Sequence, residues 1–118
     1  MLKGDRYKFN CGFVYIVNED QLSCNTTDVI YVLRCTTCHA EYIGETKNLR
    51  HRISKHCSDT RLGKQECRAQ EHLVKCGENL LDVRTRFNIF LLERESDTAI
   101  RKAKESYFIR LFLPRMNK

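Results

Sequence analysis

The sequence predicts a small α+β domain in which three strands form a sheet flanked by helices. Three observations carry that expectation: a β-branched run with a second extended segment just after it, an alternating segment late in the chain, and stretches of helical period between and beyond them. The run Asp28-Val29-Ile30-Tyr31-Val32-Leu33-Arg34-Cys35 reads as the first strand. Ala40-Glu41-Tyr42-Ile43-Gly44 reads as its hairpin partner, with Cys35 and Cys38 at the tip. From Thr46, taken as a helix cap, Leu49 and Ile53 recur at i, i+4, and this helix is expected to end near Cys57. Residues 58–65 read as a loop, and Glu66 to Lys75 as a short helix closed by Gly77. Between Val83 and Glu93, apolar residues alternate with Arg84, Arg86 and Asn88, giving the third strand. Ser96 or Asp97 caps a last helix, Thr98 to Leu113, with Ile100, Ala103, Tyr107 and Leu111 as its expected buried stripe and Pro114 as its stop. Upstream, residues 1–27 form an N-terminal extension in which Gly12 to Val17 could add a strand; residues 28–118 form the domain proper.

A chain of 118 residues with 42% hydrophobic and 31% charged residues supports one modest core, and with only one Pro it resembles neither a disordered nor a fibrous chain. No apolar run approaches the roughly 20 residues of a membrane span, and no apolar segment follows the charged start, so the expectation is an intracellular protein without a membrane partner. The net charge of +6 favours polyanions, nucleic acid first, although a basic surface alone also serves mere solubility.

Seven cysteines are many for this length, and an odd count cannot all pair within the chain. Cys35 and Cys38 have the C-x2-C spacing with which two thiolates grip one zinc ion. His72 and Cys76 stand four apart, on one face of a helix, and would complete a four-ligand site. Scattered, unligated cysteines are the competing reading, and Cys11, Cys24, Cys57 and Cys67 have no assigned role.

Polar side chains also fall where a core should be. At 100° per residue, Arg52 and His56 lie on the same side of their helix as Leu49 and Ile53. On the last helix Glu105 lies in angular order between Phe112 and Ile109, where a carboxylate is costly unless paired, protonated or holding a cation. With Tyr31 and Tyr42 these groups suit a phosphodiester: cation and guanidinium neutralise oxyanion charge while a phenol handles the proton of an attacking water.

Val29-Ile30-Tyr31, the eleven-residue step to Tyr42-Ile43-Gly44, then Glu45-Thr46-Lys47-Asn48-Leu49, Arg52, His56, Glu105, Tyr107, Pro114 and Asn117 together resemble the GIY-YIG nuclease family. Two cysteines between the tyrosine motifs and a downstream His/Cys pair look like the zinc-bearing endonuclease domain of Penelope-like retroelements. The resemblance implies a three-stranded antiparallel sheet flanked by helices, with a hairpin stapled by structural Zn(II). It implies Tyr31 as general base, Tyr42 hydrogen-bonded to the reacting centre, Arg52 stabilising phosphate charge and His56 beside it. Glu105 would bind one Mg(II) or Mn(II), and Asn117 would organise the site. Gly44 would permit close approach of the backbone, and Gly44, Lys47 and Arg50 are the candidate DNA contacts. The implied activity is metal-dependent, nicking hydrolysis of DNA to a 5′-phosphate and a 3′-hydroxyl, the end from which a partner reverse transcriptase would prime, in the nucleus. The alternative is a zinc-stabilised nucleic-acid-binding module that has lost cleavage. Val14-Tyr15-Ile16 mimics the first motif but stands too far from Tyr42 to replace it.

Overall fold

The computed structural model describes residues 6–16, 26–63, 71–73, 76 and 86–117. Two short strands, β1 (Arg6–Lys8) and β2 (Val14–Ile16), form an antiparallel hairpin. The main sheet is antiparallel with order β4-β3-β5, built from β3 (Thr27–Cys35), β4 (Glu41–Asn48) and β5 (Phe87–Arg94). Helix α1 (Leu49–Arg61) follows β4 directly, α2 (Thr98–Phe112) follows β5, and a 3-10 turn, Arg115–Asn117, closes the described chain. The expected α+β architecture is present. Val83 and Thr85 of the expected third strand, Gly77, Cys24, Cys67 and most of the expected helix at 66–75 lie outside the described residues.

β3 is central because its run Val29–Leu33 is apolar on both faces. Val29, Tyr31, Leu33 and Cys35 face one core with Leu49, Phe87, Ile89 and Met116, against which Ile53 of α1 packs. Ile30 and Val32 face a second core with Ile43, Leu92, Phe108 and Phe112, and the N-terminal hairpin adds Tyr7 and Phe9 to it. Phe9 stacks on Phe112 with ring centroids 3.9 Å apart, and Tyr15 meets Phe108 edge-on. Thus Tyr15 belongs to the face opposite Tyr31. Opposite Ile30 and Tyr31 the register of β5 slips by one residue, a bulge that re-aims side chains beside Tyr31.

Three local expectations are corrected. The cap of α1 is Asn48, whose side chain accepts from the His51 N–H at 2.9 Å; Thr46 stays in β4 and bonds Asn48 instead. α1 also runs past Cys57 to Arg61, supported by the Lys55–Asp59 pair and stopped where Gly63 takes a positive φ, so its last turn occupies residues expected to be loop. In α2 the expected stripe of Ile100, Ala103, Tyr107 and Leu111 faces outward, and Arg101, Phe108 and Phe112 are buried. The sequence offers two apolar stripes there. Phe108 and Phe112 win because the hairpin supplies aromatic partners, and Arg101 goes in with them because it finds carboxylates.

Candidate active site and cysteine–histidine centre

The register of the hairpin builds the site. Tyr31 pairs with Gly44 and Leu33 with Tyr42, so both phenols rise from the same sheet face, towards α1. A Cβ on Gly44 would sit 2.6 Å from the Tyr31 hydroxyl and 3.0 Å from Cε1 of Tyr42; only glycine leaves room for the two rings. From α1, His56 is buried at 3% exposure and its Nε2 shares a 3.0 Å hydrogen bond with the Tyr31 hydroxyl. The Tyr42 and Phe87 rings each lie 6.3 Å from the imidazole. Burial, reinforced by the charge of Arg52, lowers the His56 pKa to about 4, so the ring is neutral at physiological pH.

Glu105 enters from α2, half-buried. Burial and the charge of Glu45 raise its pKa, while the Glu45 backbone, Lys102 and Arg52 pull the other way. A desolvated carboxylate near a second carboxylate is a setting that a divalent cation relieves, so the donor chemistry fits the metal expected there. Asn117 holds the backbone of β4. Its Oδ1 accepts the Ile43 N–H at 2.7 Å and its Nδ2 donates to the Ile43 carbonyl at 3.0 Å, clamping the outer edge of β4 between Tyr42 and Gly44. Lys47 and Arg50 are exposed, at the end of β4 and the start of α1.

The second centre lies at the far end of the same hairpin. Cys35 ends β3, Cys38 lies in the turn, and His72 and Cys76 come from the segment beyond α1. The Cys76 N–H bonds the His72 carbonyl at 2.7 Å, the helical spacing that puts both ligands on one side. Arg86 donates to the Leu73 carbonyl, and its own carbonyl accepts from Thr36, which ties that segment to the turn. The four donor atoms lie within 4.8 Å of one another, with Cys35 Sγ 3.6 Å from Cys76 Sγ and Cys38 Sγ 3.1 Å from His72 Nε2. A tetrahedral zinc ion with bonds of roughly 2.0–2.3 Å has edges of roughly 3.3–3.8 Å, inside the range of these separations, so the set fits zinc. Burial and the neighbouring thiols push the Cys76 pKa up to about 12, so zinc must displace its proton.

The family model for the GIY-YIG catalytic domain matches residues 28–118. The chain belongs to this family. As a GIY-YIG domain it is a phosphodiester hydrolase, a DNA endonuclease. The solved catalytic domain of the homing endonuclease I-TevI matches its fold with a TM-score of 0.60 at 20% identity, covering 75% of this chain and 91% of that one. No curated sequence gives a significant match.

Two buried polar groups of this GIY-YIG domain were not foreseen. Arg101, 1% exposed, donates from Nε to Glu45 at 2.7 Å and from Nη1 to Asp28 at 3.2 Å and to the Glu95 carbonyl at 3.0 Å. It therefore locks α2, the helix of Glu105, to the ends of β3 and β4. Helical geometry alone cannot show which carboxylates the sheet brings within reach of Arg101. Glu41, 2% exposed, takes hydrogen bonds from the Tyr7 hydroxyl and the Asn10 N–H, so the extension completes the β4 end of the hairpin. No spacing in the sequence marks that contact, which joins residues more than thirty positions apart.

A groove of about 470 Å³ runs between α1 and the start of α2, walled by Lys47, His51, Arg52, Lys55 and Lys102 together with Glu45. Basic side chains around a groove suit a phosphate backbone. Among the described residues no helix is long and apolar enough to cross a membrane.

Proposed function

We propose that this GIY-YIG domain nicks DNA in a reaction that depends on a divalent cation, with Tyr31, His56, Arg52, Glu105 and Tyr42 as its catalytic groups. The observation that carries the reading is the Tyr31–His56 hydrogen bond over Gly44, with the charge of Arg52 acting on His56. The basic groove receives the strand beside the scissile phosphate, with Lys47 and Arg50 at its edge contacting the backbone.

In its ionised form Tyr31 accepts a hydrogen bond from the Nε2–H of neutral His56 and takes the proton of the attacking water, becoming the neutral phenol. An unperturbed phenol, with a pKa of about 10, is a poor base at neutral pH, so nearby positive charge must favour its ionised form. Arg52 supplies part of that charge and steadies the non-bridging phosphate oxygens; Tyr42 holds a phosphate oxygen in line. Mg(II) or Mn(II) on Glu105 would supply Lewis-acid stabilisation of the charge that develops on the phosphate and leaving oxygen. The new bond joins the water oxygen to phosphorus, the bond to the 3′-oxygen breaks, and that oxygen takes a proton from solvent. The products are a 5′-phosphate and a 3′-hydroxyl.

The cysteines between the tyrosine strands and the downstream His72/Cys76 pair support a finer reading: a zinc-bearing retroelement endonuclease working in the nucleus, whose 3′-hydroxyl product primes a reverse transcriptase. An end-labelled duplex tests the chemistry. Wild type should release a 3′-hydroxyl fragment; Tyr31→Phe should bind the duplex with comparable affinity while cleaving at least about 100-fold more slowly. Equal cleavage by Tyr31→Phe would remove the phenol from the mechanism.

A further inference from the structure

We propose that Arg115 is a positioning residue that couples the cysteine–histidine centre to the catalytic strand: it donates to the zinc-bound Cys38 thiolate and so fixes Asn117 on Ile43. The functional consequence rests on the nuclease reading; the coupling itself does not. The guanidinium Nη2 lies 2.9 Å from Cys38 Sγ, and its charge also reaches His72. Arg115 is exposed, so packing does not hold its head there; the contact with Cys38 Sγ does. Three thiolates around one divalent ion leave a net negative charge, and a guanidinium neutralises it while supplying the outer-sphere hydrogen bond that orients a ligand.

The same residue opens the terminal 3-10 turn. Leu113 in the left-handed region and Pro114 lead into that turn, Met116 anchors it in the core shared with Cys35 and Leu73, and Asn117 ends it on the Ile43 backbone. With only Met116 between the sulfur contact and the clamp, little slack separates them. Ile43 lies between Tyr42 and Gly44, so the clamp bears directly on the site. Zinc then does more than staple a turn: through Arg115 it sets the strand that carries the second tyrosine, and by linkage a tighter clamp favours zinc.

The test uses the full chain and two readouts that need no cleavage. Competition with a chromophoric chelator gives zinc affinity, and amide hydrogen exchange gives protection of Ile43, whose N–H the clamp holds. Arg115→Met should weaken zinc binding about tenfold, and zinc loading should no longer raise Ile43 protection. Arg115→Lys, which keeps the charge, should recover part of both, and Arg115→Met saturated with zinc should cleave DNA severalfold more slowly than wild type. Zinc affinity unchanged in Arg115→Met, or Ile43 protection that still rises with zinc, would overturn the proposal. A protein that couples zinc to Ile43 but cleaves nothing would keep the coupling and refute the nuclease reading.

Discussion

Cys35→Ser is expected to yield protein without zinc that melts roughly 10–20 °C below wild type, a loss of at least about 3 kcal/mol. Cys35 is the last residue of the central strand and is fully buried; its N–H bonds the Ala40 carbonyl and its carbonyl accepts from His39. Removing its thiolate strips a ligand, leaves a small polar hydroxyl in an apolar setting, and frees the segment of His72 and Cys76 from the hairpin. Elemental analysis, expected to give about one zinc per wild-type chain, together with a thermal melt, checks this. Because Cys76 must give up a tightly held proton, zinc affinity should fall continuously as pH is lowered anywhere below about 12. A wild type that carries no metal and is indifferent to chelators would remove zinc from the account.

Gly44→Ala is expected to cost about 1–3 kcal/mol of stability and at least roughly 100-fold in cleavage. The added methyl meets the Tyr31 hydroxyl at 2.6 Å and its ring carbon at 2.7 Å. A flexible side chain at the surface would swing away. Tyr31 is 1% exposed, packed in the core, and tied to His56, so the strain breaks that hydrogen bond or spreads β3 from β4. A thermal melt beside the duplex assay separates the two costs. Full activity would mean that the close approach of the two tyrosines to Gly44 is incidental.

Much of this was legible in the sequence, for physical reasons. The β3 run, buried on both faces, can only be a central strand, and a C-x2-C at its end places the hairpin tip. His56 declared itself by sitting on the apolar side of α1, and the structure buries it. Glu105 declared itself in the same way and is half-buried. What stayed hidden depends on long-range partners. The buried face of α2 was misjudged because Phe108 and Phe112 need the rings of Phe9 and Tyr15, supplied from far up the chain. The burial of Arg101 depends on Glu45 and Asp28, and that of Glu41 on Tyr7, partners that no local pattern names. Helix ends erred because side-chain caps compete over a few residues, and Asn48 outbid Thr46.

The central claim is that the centre formed by Tyr31, His56, Arg52 and Glu105 cuts DNA with a cation held on Glu105. Supercoiled plasmid incubated in Mg(II) or Mn(II) with wild type and with Glu105→Ala tests it most directly. Nicked plasmid is expected from wild type only when the cation is present, and none from Glu105→Ala, which still binds the plasmid. Equal nicking by both proteins, or binding without nicking by wild type in either metal, would contradict it, the latter leaving a zinc-stabilised DNA-binding module.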